Sequence, residues 1–202
     1  MDKDIWESWS KFLNPNLVRK HLMHSGLFLI TYEVLIDILV RHPKEFFDDN
    51  HGFGKQRLSQ KYQHSVLQKD PKGKGDTLRA SIEWFKELGA LCQEDILEIA
   101  EIRAARNAIA HDLGHIVMSG GEFDYCDFTN RCLTLIDKVE TWWITNFEFA
   151  IDETLAGSDL ADADITPGQI LILQALRDVA LGDDEKAWFY FNEFQKQKPD
   201  PK

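Results

Sequence analysis

Residues 98–112 read EIAEIRAARNAIAHD, and this stretch decides the fold class. A helix turns about 100° per residue, so Ile102 and Ile109 fall on one face. Ile99 and Ile116 extend the same apolar stripe in both directions. Alanine, the strongest helix former, fills several positions between them. The stretch therefore predicts an amphipathic helix that packs its stripe against other helices.

Helical spacing recurs on both sides of this stretch, and Asn14 and Asp76 are predicted caps of the helices that follow them. The predicted helices cover residues 2–13, 15 to about 41, a segment from 77, a segment from about 94, 123 to about 152, 167–181 and a last aromatic segment, 188–194. We expect His42 and Pro43 to end the second helix, because the residue before a proline disfavours helical geometry. Residues 43–76 then form a long polar loop, with weak periodicity apart from residues 57–68. No β-alternation of useful length occurs, so the sequence predicts an all-α bundle with appended C-terminal helices and aromatic residues mainly in the core.

The composition is that of an ordinary globular chain, with 44% hydrophobic and 28% charged residues among 202. This length predicts one core. The three cysteines show no C-x-x-C spacing, so they predict neither a disulfide framework nor a zinc ribbon. The N-terminus is acidic, unlike the basic start of a signal peptide. We therefore expect a cytoplasmic protein.

One long apolar run, residues 27–40, interrupts the polar sequence. It spans 14 residues and contains Glu33 and Asp37. A membrane span needs roughly 20 apolar residues. The run therefore predicts a buried helix and no membrane partner.

Charge is distributed unevenly along the chain. The 23 Lys and Arg residues against 34 Asp and Glu give a net charge of −11, which excludes a generally basic nucleic-acid-binding surface. Residues 1–86 hold 14 basic and 11 acidic side chains, whereas residues 87–202 hold 9 and 23. Residues 51–80, here named the basic strip, are suited to phosphates, and a solvated lysine-rich loop is the alternative. Its candidate substrate-binding residues are Lys55, Arg57, Lys61, Lys72 and Lys74.

Arg106 falls on the apolar stripe, four residues after Ile102 and three before Ile109. Burying an unpaired guanidinium costs several kcal/mol. Arg106 should therefore meet a carboxylate or face a cleft in which an anion binds. Glu98, two turns upstream at the edge of the stripe, is either a candidate partner of Arg106 or a site residue in a dimer cleft.

Asn107 and His111 are four residues apart and therefore neighbours on one flank of the helix, with Arg103 one turn further back. Arg106 lies about 140° from His111 on an ideal helix, so one helix does not converge the two groups well. Two copies of the helix around a twofold axis would bring both sets of residues to one cleft, as in an isologous homodimer.

The hexapeptide RNAIAH, residues 106–111, resembles the HEPN superfamily (higher eukaryotes and prokaryotes nucleotide-binding). The hallmark of that superfamily is an arginine, four to six residues and a histidine, often with a polar residue after the arginine. The resemblance implies a HEPN-like helical domain over residues 1–152. Residues 153–202 would then be an acidic helical extension packed on the same domain.

The resemblance also implies a metal-independent endoribonuclease without a cofactor, usually dimeric and often a toxin or an antiviral defence effector. The residue types suit that chemistry. His111 would exchange the proton of the ribose 2′-OH or of the leaving oxygen. Arg106 would hold the scissile phosphate, and Asn107 would position the phosphate or the imidazole. Arg103 and the basic strip, which should flank the dimer cleft, would bind RNA, and an antitoxin or another regulatory protein would be a further partner.

Other interpretations stay open at this stage. A non-catalytic HEPN-like module would bind a nucleotide, a nucleic acid or a protein through the same surface. Arg106 and His111 would otherwise serve as an interhelical ion pair and a capping or core histidine. His111 and His115 have the i, i+4 spacing of zinc ligands, with Asp112 in the place of a glutamate, but no third ligand follows at a defined spacing.

Overall fold

The computed structural model describes residues 3–47, 59–119, 123–151 and 165–196. Every regular element in these ranges is helical, which confirms the predicted all-α class. The helices are α1 (Lys3–Phe12), α2 (Pro15–Phe46), α3 (Gln60–Ser65), α4 (Thr77–Glu87), α5 (Gln93–Ser119), α6 (Tyr125–Trp143), α7 (Phe149–Ile151), α8 (Gly168–Leu181) and α9 (Asp184–Lys196). A 3₁₀ turn, Leu67–Lys69, follows α3, and a π-helical turn, Ile144–Glu148, joins α6 to α7.

Helix α2 is the centre of the bundle and packs against α4, α5, α6 and α8. It runs parallel to α6: His21 lies beside Tyr125 at the start of both helices, and His42 lies beside Glu140 at their ends. The large side chains that fill the core between the helices are Phe28, Leu35, Leu39, Phe85, Ile102, Ile109, Leu135, Ile136 and Val139. This interior fixes which face of each helix is buried.

Helix α5 runs antiparallel to α6, and two ion-pair contacts define their register. Lys138 Nζ lies 2.6 Å from Asp95 Oδ2, and Arg131 Nε lies 2.9 Å from Glu98 Oε1. Burial opposes ionisation of Asp95, but hydrogen bonds from Lys138 and from the Cys92 N–H outweigh it and lower the pKa of Asp95. The acidic first turn of α5 is therefore tied to the last turns of α6.

Helix α2 continues beyond the proline expected to end it. Pro43 lies inside the helix, whose last residue is Phe46, so that prediction was wrong. His42 and Pro43 are both buried, and the His42 ring stacks on Trp143 with centroids 4.3 Å apart. His42 Nε2 also lies 2.9 Å from Glu140 Oε1. These tertiary contacts outweigh the local cost of a proline within a helix.

By length and composition alone, α2 is the one helix of the described ranges that could cross a membrane. Its most apolar 18-residue window has a mean hydropathy of 1.6, and 44% of that window is buried inside the protein. Core helices and N-terminal signal sequences pass the same test. The absence of a membrane partner therefore stays a prediction.

The described part of the predicted polar loop is folded onto the bundle. Ser59 caps α3 and donates its hydroxyl to the Phe47 carbonyl, which ties the segment to the C-terminal end of α2. Tyr62 and Val66 are almost completely buried. The expectation of a long polar loop was wrong for residues 59–69, because two widely spaced apolar side chains suffice to anchor so short a helix.

Helix α8 packs on α2 and α6, and α9 packs on α8. Ile170 and Leu173 are the residues by which α8 enters the core. None of the α9 side chains is buried, and its aromatic residues Trp188, Phe189, Tyr190, Phe191 and Phe194 are 39–72% exposed. The expectation that these aromatic residues lie in the core was wrong. Helix α9 packs mainly on α8 and makes no other extensive contact with the described helices.

Candidate active site on helix α5

Helix α5 places the candidate catalytic residues in the middle of one uninterrupted helix. Ile102, Ala105 and Ile109 are buried and fix its inner face. Arg106 lies at the margin of that face with 35% of its side chain exposed. The helix thus delivers a cation to the boundary between core and solvent.

Arg106 meets a carboxylate, which is one of the two environments expected for it. Its Nη2 lies 2.9 Å from Oε1 of Glu33 on α2. Its guanidinium carbon lies 5.6 Å from the centre of the Tyr32 ring, within the range of a cation–π contact. Nη1 is 3.5 Å from Asn107 Oδ1, at the limit of a hydrogen bond. The Nε atom is buried and has no hydrogen-bond partner among the described residues.

Tyr32 supports the guanidinium as a neutral ring. The residue is buried, and burial raises the pKa of its phenol, although the charges of Arg103 and Arg106 oppose that rise. The phenol is therefore protonated at neutral pH. An uncharged aromatic face beside Arg106 leaves Glu33 as the nearest anion.

Asn107, His111 and Arg103 lie on the exposed flank of α5. Their spacing of four residues places them in one row along the helix, as predicted. No hydrogen bond or ion pair joins His111 to Arg106 in the described part of this chain. The single protomer therefore brings Arg106 and Asn107 together and leaves His111 beside them on open surface.

Glu98 is not the partner of Arg106. Eight residues of helix separate their Cα atoms by about 12 Å, beyond the i, i+3 and i, i+4 spacings at which side chains of one helix usually pair. Glu98 and Glu101 instead bind Arg131 of α6, at 2.9 and 2.6 Å. The hydrogen bonds that Arg131 donates to Glu101 and Glu98 raise its pKa further above the ordinary value. This network holds α5 to α6 and takes no part in the candidate site.

At Lys61 the basic strip lies toward a different end of the bundle from Arg106, and not beside it as expected. Lys55 and Arg57 lie outside the described residues. Lys61 follows Ser59, which is bound to the C-terminal end of α2. That end lies about 20 Å along α2 from Glu33, at 1.5 Å per residue. A strand of several nucleotides would be needed to contact both Arg106 and this part of the strip.

Lys72 and Lys74 are exposed on the loop that precedes α4. Asp70 organises this loop: its buried carboxylate accepts the backbone N–H groups of Lys72, Lys74 and Asp76 at 2.9–3.1 Å. Arg79 adds hydrogen bonds from Nε and Nη2 at 2.8 and 3.1 Å. The Arg79 hydrogen bonds, followed by those from the backbone, hold the pKa of Asp70 well below its usual range. Arg79 is thereby occupied within the protein, and Lys72 and Lys74 remain the solvent-facing cations of this loop.

A surface groove of about 450 Å³ lies beside the Arg106–Glu33 pair. Most of it is apolar, and Glu33 and Asp37 are its two carboxylates. The groove is lined by Leu29, Ile30, Glu33, Val34, Asp37 and Ile38 of α2 and by Gln169 of α8. Glu33 therefore contacts Arg106 while its side chain borders an open volume.

Sequence reasoning missed Glu33 and Tyr32 as parts of this site. The available signal was the position of Glu33 and Asp37 within the apolar run of residues 27–40. A carboxylate in such a run needs a cation or solvent, just as Arg106 needs an anion. Glu33 and Arg106 can be recognised as partners only once α2 and α5 are known to be neighbours.

The zinc interpretation gains no ligand set from the structure. In the described residues, no group of three or more His, Cys, Asp or Glu side chains could hold a metal ion. His111 and His115 are exposed on α5.

Comparison of the chain with protein-family models, with curated proteins and with solved structures finds no match.

Proposed function

We propose that this protein is a metal-independent endoribonuclease of the HEPN type that acts as a homodimer. The observation that carries the proposal is Arg106, a partly buried arginine that binds an anion at the edge of the core, directly beside Asn107, which lies one turn before His111. The all-α fold is compatible with a HEPN-like domain over residues 1–152 and an appended acidic extension. Arg106, Asn107 and His111 belong to the hexapeptide on which the resemblance rests.

Each candidate residue has a distinct role in the proposed reaction. The ribose 2′-oxygen attacks the adjacent phosphorus as its proton passes to one His111 imidazole, and the bond from phosphorus to the 5′-oxygen breaks. The leaving 5′-oxygen takes a proton from the His111 imidazolium of the second protomer. Arg106 neutralises the charge that develops on the phosphate oxygens, and Asn107 positions the phosphate or the imidazole. The products are a 2′,3′-cyclic phosphate and a 5′-hydroxyl.

The dimer would complete the site, since one protomer leaves Arg106 and His111 unconnected. Helix α1 packs against α5, yet Trp6 and Trp9 remain 59% and 48% exposed. A second copy packed around the exposed flank of α5 would cover this apolar surface. The proposed contact is isologous, so the same residues occur on both sides.

RNA would bind through Arg103 near the reacting phosphate and through Lys61, Lys72 and Lys74 further along the strand. Lys55 and Arg57 belong to the same proposal. The cytoplasm, where three unpaired cysteines persist, is the proposed compartment. A role as a toxin or defence effector, restrained by an antitoxin or regulatory protein, follows from the resemblance alone.

A cleavage assay in excess EDTA tests the proposal. The protein is incubated with single-stranded RNA and with its 2′-O-methyl analogue, and the product ends are identified. We expect cleavage of the RNA alone, products with 5′-hydroxyl ends, and loss of at least 100-fold in rate in Arg106→Ala and His111→Ala, in line with the usual contribution of acid–base catalysis.

Two matched variants serve as controls. Arg19→Ala removes an exposed arginine of α2, and His115→Ala removes the exposed histidine one turn after His111. Both should retain wild-type rates. Loss of cleavage in EDTA together with inactivity of His115→Ala would replace the proposal with the zinc interpretation.

A non-catalytic HEPN-like binding module is the second candidate. It is favoured by the Arg106–Glu33 ion pair, which already balances the charge of the arginine without RNA. In that case RNA or a nucleotide is bound and stays intact, Arg106→Ala weakens binding, and His111→Ala leaves it unchanged.

A further inference from the structure

Glu33 occupies the guanidinium to which the proposed function assigns the scissile phosphate. The pair joins two helices, with Glu33 on α2 and Arg106 on α5. A carboxylate and a phosphate present similar paired oxygens to a guanidinium, so the two anions compete for the same donors.

The contact with Glu33 uses little of the donor capacity of Arg106. A guanidinium carries five N–H donors, and one oxygen of Glu33 meets one terminal nitrogen. The Nε atom has no partner among the described residues, and the Asn107 contact is long at 3.5 Å. The pair is therefore a single-point contact and not the bidentate arrangement that makes arginine–carboxylate pairs strong.

The Glu33 side chain has room to move away from Arg106. Its side chain is 58% exposed, compared with 35% for Arg106, and it borders the groove between α2 and α8. Exposed ion pairs contribute little to stability. Tyr32 stays beside the guanidinium by its cation–π contact and would keep Arg106 in position during an exchange of anions.

We propose that Glu33 is an internal competitor of the RNA phosphate, which must displace this carboxylate from Arg106 to bind. The proposal rests on the proposed function, because it takes Arg106 as the phosphate-binding residue. It makes Glu33 a determinant of phosphate affinity and not of the chemical step. If Glu33 instead positioned Arg106 for catalysis, its removal would have the opposite effect. The two roles can therefore be separated.

The primary test measures anion binding without RNA. The ¹H–¹⁵N signal of Arg106 Nε, assigned by its loss in Arg106→Ala, is titrated with inorganic phosphate at constant ionic strength. We expect half-saturation of Glu33→Gln at a phosphate concentration about threefold to fivefold below that of the wild type, the range set by a surface ion pair.

Asp37→Asn is the matched control. Asp37 lies one turn after Glu33, lines the same groove, is 64% exposed and binds Arg41 instead of Arg106. It removes the same unit of negative charge, so it measures the general electrostatic effect alone. If the phosphate concentration that half-saturates Glu33→Gln is equal to or above the one that half-saturates Asp37→Asn, the proposal is overturned.

RNA kinetics distinguish failure of this inference from failure of the proposed function. If the protein cleaves RNA, Glu33→Gln should lower KM by a similar factor and leave kcat unchanged, whereas a lowered kcat identifies a positioning residue and overturns the competition. If RNA stays intact, the endoribonuclease proposal fails, and the phosphate titration still decides whether Glu33 competes for Arg106.

Discussion

Asp70 is a single carboxylate that holds a whole loop in place. Because its pKa is lower in the folded protein than in the unfolded chain, the ionised form stabilises the fold at neutral pH. That contribution is complete above the unfolded pKa, near 4, and is lost as the pH falls through the lower folded value. We predict that Asp70→Asn lowers the urea midpoint at neutral pH and that its difference from the wild type shrinks in acid.

Urea unfolding followed by circular dichroism between about pH 7 and pH 3 checks this prediction. Asp137→Asn removes an exposed aspartate of α6 and should match the wild type throughout. A difference for Asp70→Asn that stays constant across this range would mean that its ionisation does not stabilise the loop.

His42 and Glu140 form a buried pair between α2 and α6, with 7% and 9% of their side chains exposed. Removing one partner leaves a buried carboxylate without its hydrogen bond. We predict that His42→Ala lowers the free energy of unfolding by about 3 kcal/mol, and His64→Ala, at an exposed position of α3, by less than about 0.5 kcal/mol. Equal effects in urea unfolding would contradict a role for the pair.

Arg106 illustrates how far sequence reasoning reaches at a single residue. Its place on the apolar stripe was enough to predict an anionic neighbour, because the cost of an unpaired guanidinium is a local property. The identity of that neighbour was not predictable, since Glu33 lies 73 positions earlier and becomes adjacent only through the packing of α2 on α5. Glu98, eight positions before Arg106, was the candidate in the sequence, but in the structure it binds Arg131.

At the scale of helices, caps were predictable and ends set by packing were not. Asn14 accepts the N–H groups of Asn16 and Leu17, and Asp76 accepts that of Arg79, as their sequence positions indicate. These contacts involve neighbours in the chain. The continuation of α2 past Pro43 depends on side chains about 100 residues away, on α6, which no local pattern contains.

The Asn14 cap gives a direct test of local stabilisation. Its side-chain oxygen satisfies two of the free N–H groups at the start of α2, at 3.1 and 3.3 Å. We predict that Asn14→Ala costs about 1 kcal/mol of unfolding free energy. Asn16→Ala changes the same residue type two positions later without removing the cap. Its unfolding free energy should stay within about 0.5 kcal/mol of the wild type, and a loss as large as that of Asn14→Ala would contradict the cap.

At the scale of the whole molecule, the net charge of −11 does not show which cations are paired within the protein and which face solvent. Several of its cations are bound internally: Arg131 by two glutamates, Arg79 by Asp70, and Arg106 by Glu33. Exposed lysines on the loop before α4 remain for solvent or phosphate. If the protein cleaves RNA as proposed, Arg106 must exchange Glu33 for a phosphate, and binding then depends on a few residues instead of a broad basic surface.

Two exposed aromatic surfaces make the proposed dimer testable: one on α1, which contacts α5, and one on α9, which packs on α8. If the twofold axis passes beside α5, burial of Trp6 and Trp9 contributes to association. We predict that Trp6→Glu/Trp9→Glu weakens dimerisation at least tenfold in analytical ultracentrifugation. Trp188→Glu, on α9, introduces the same charge at an exposed tryptophan and should leave the dimer intact. Dissociation by Trp188→Glu alone would move the interface to α9 and separate it from Arg106 and His111.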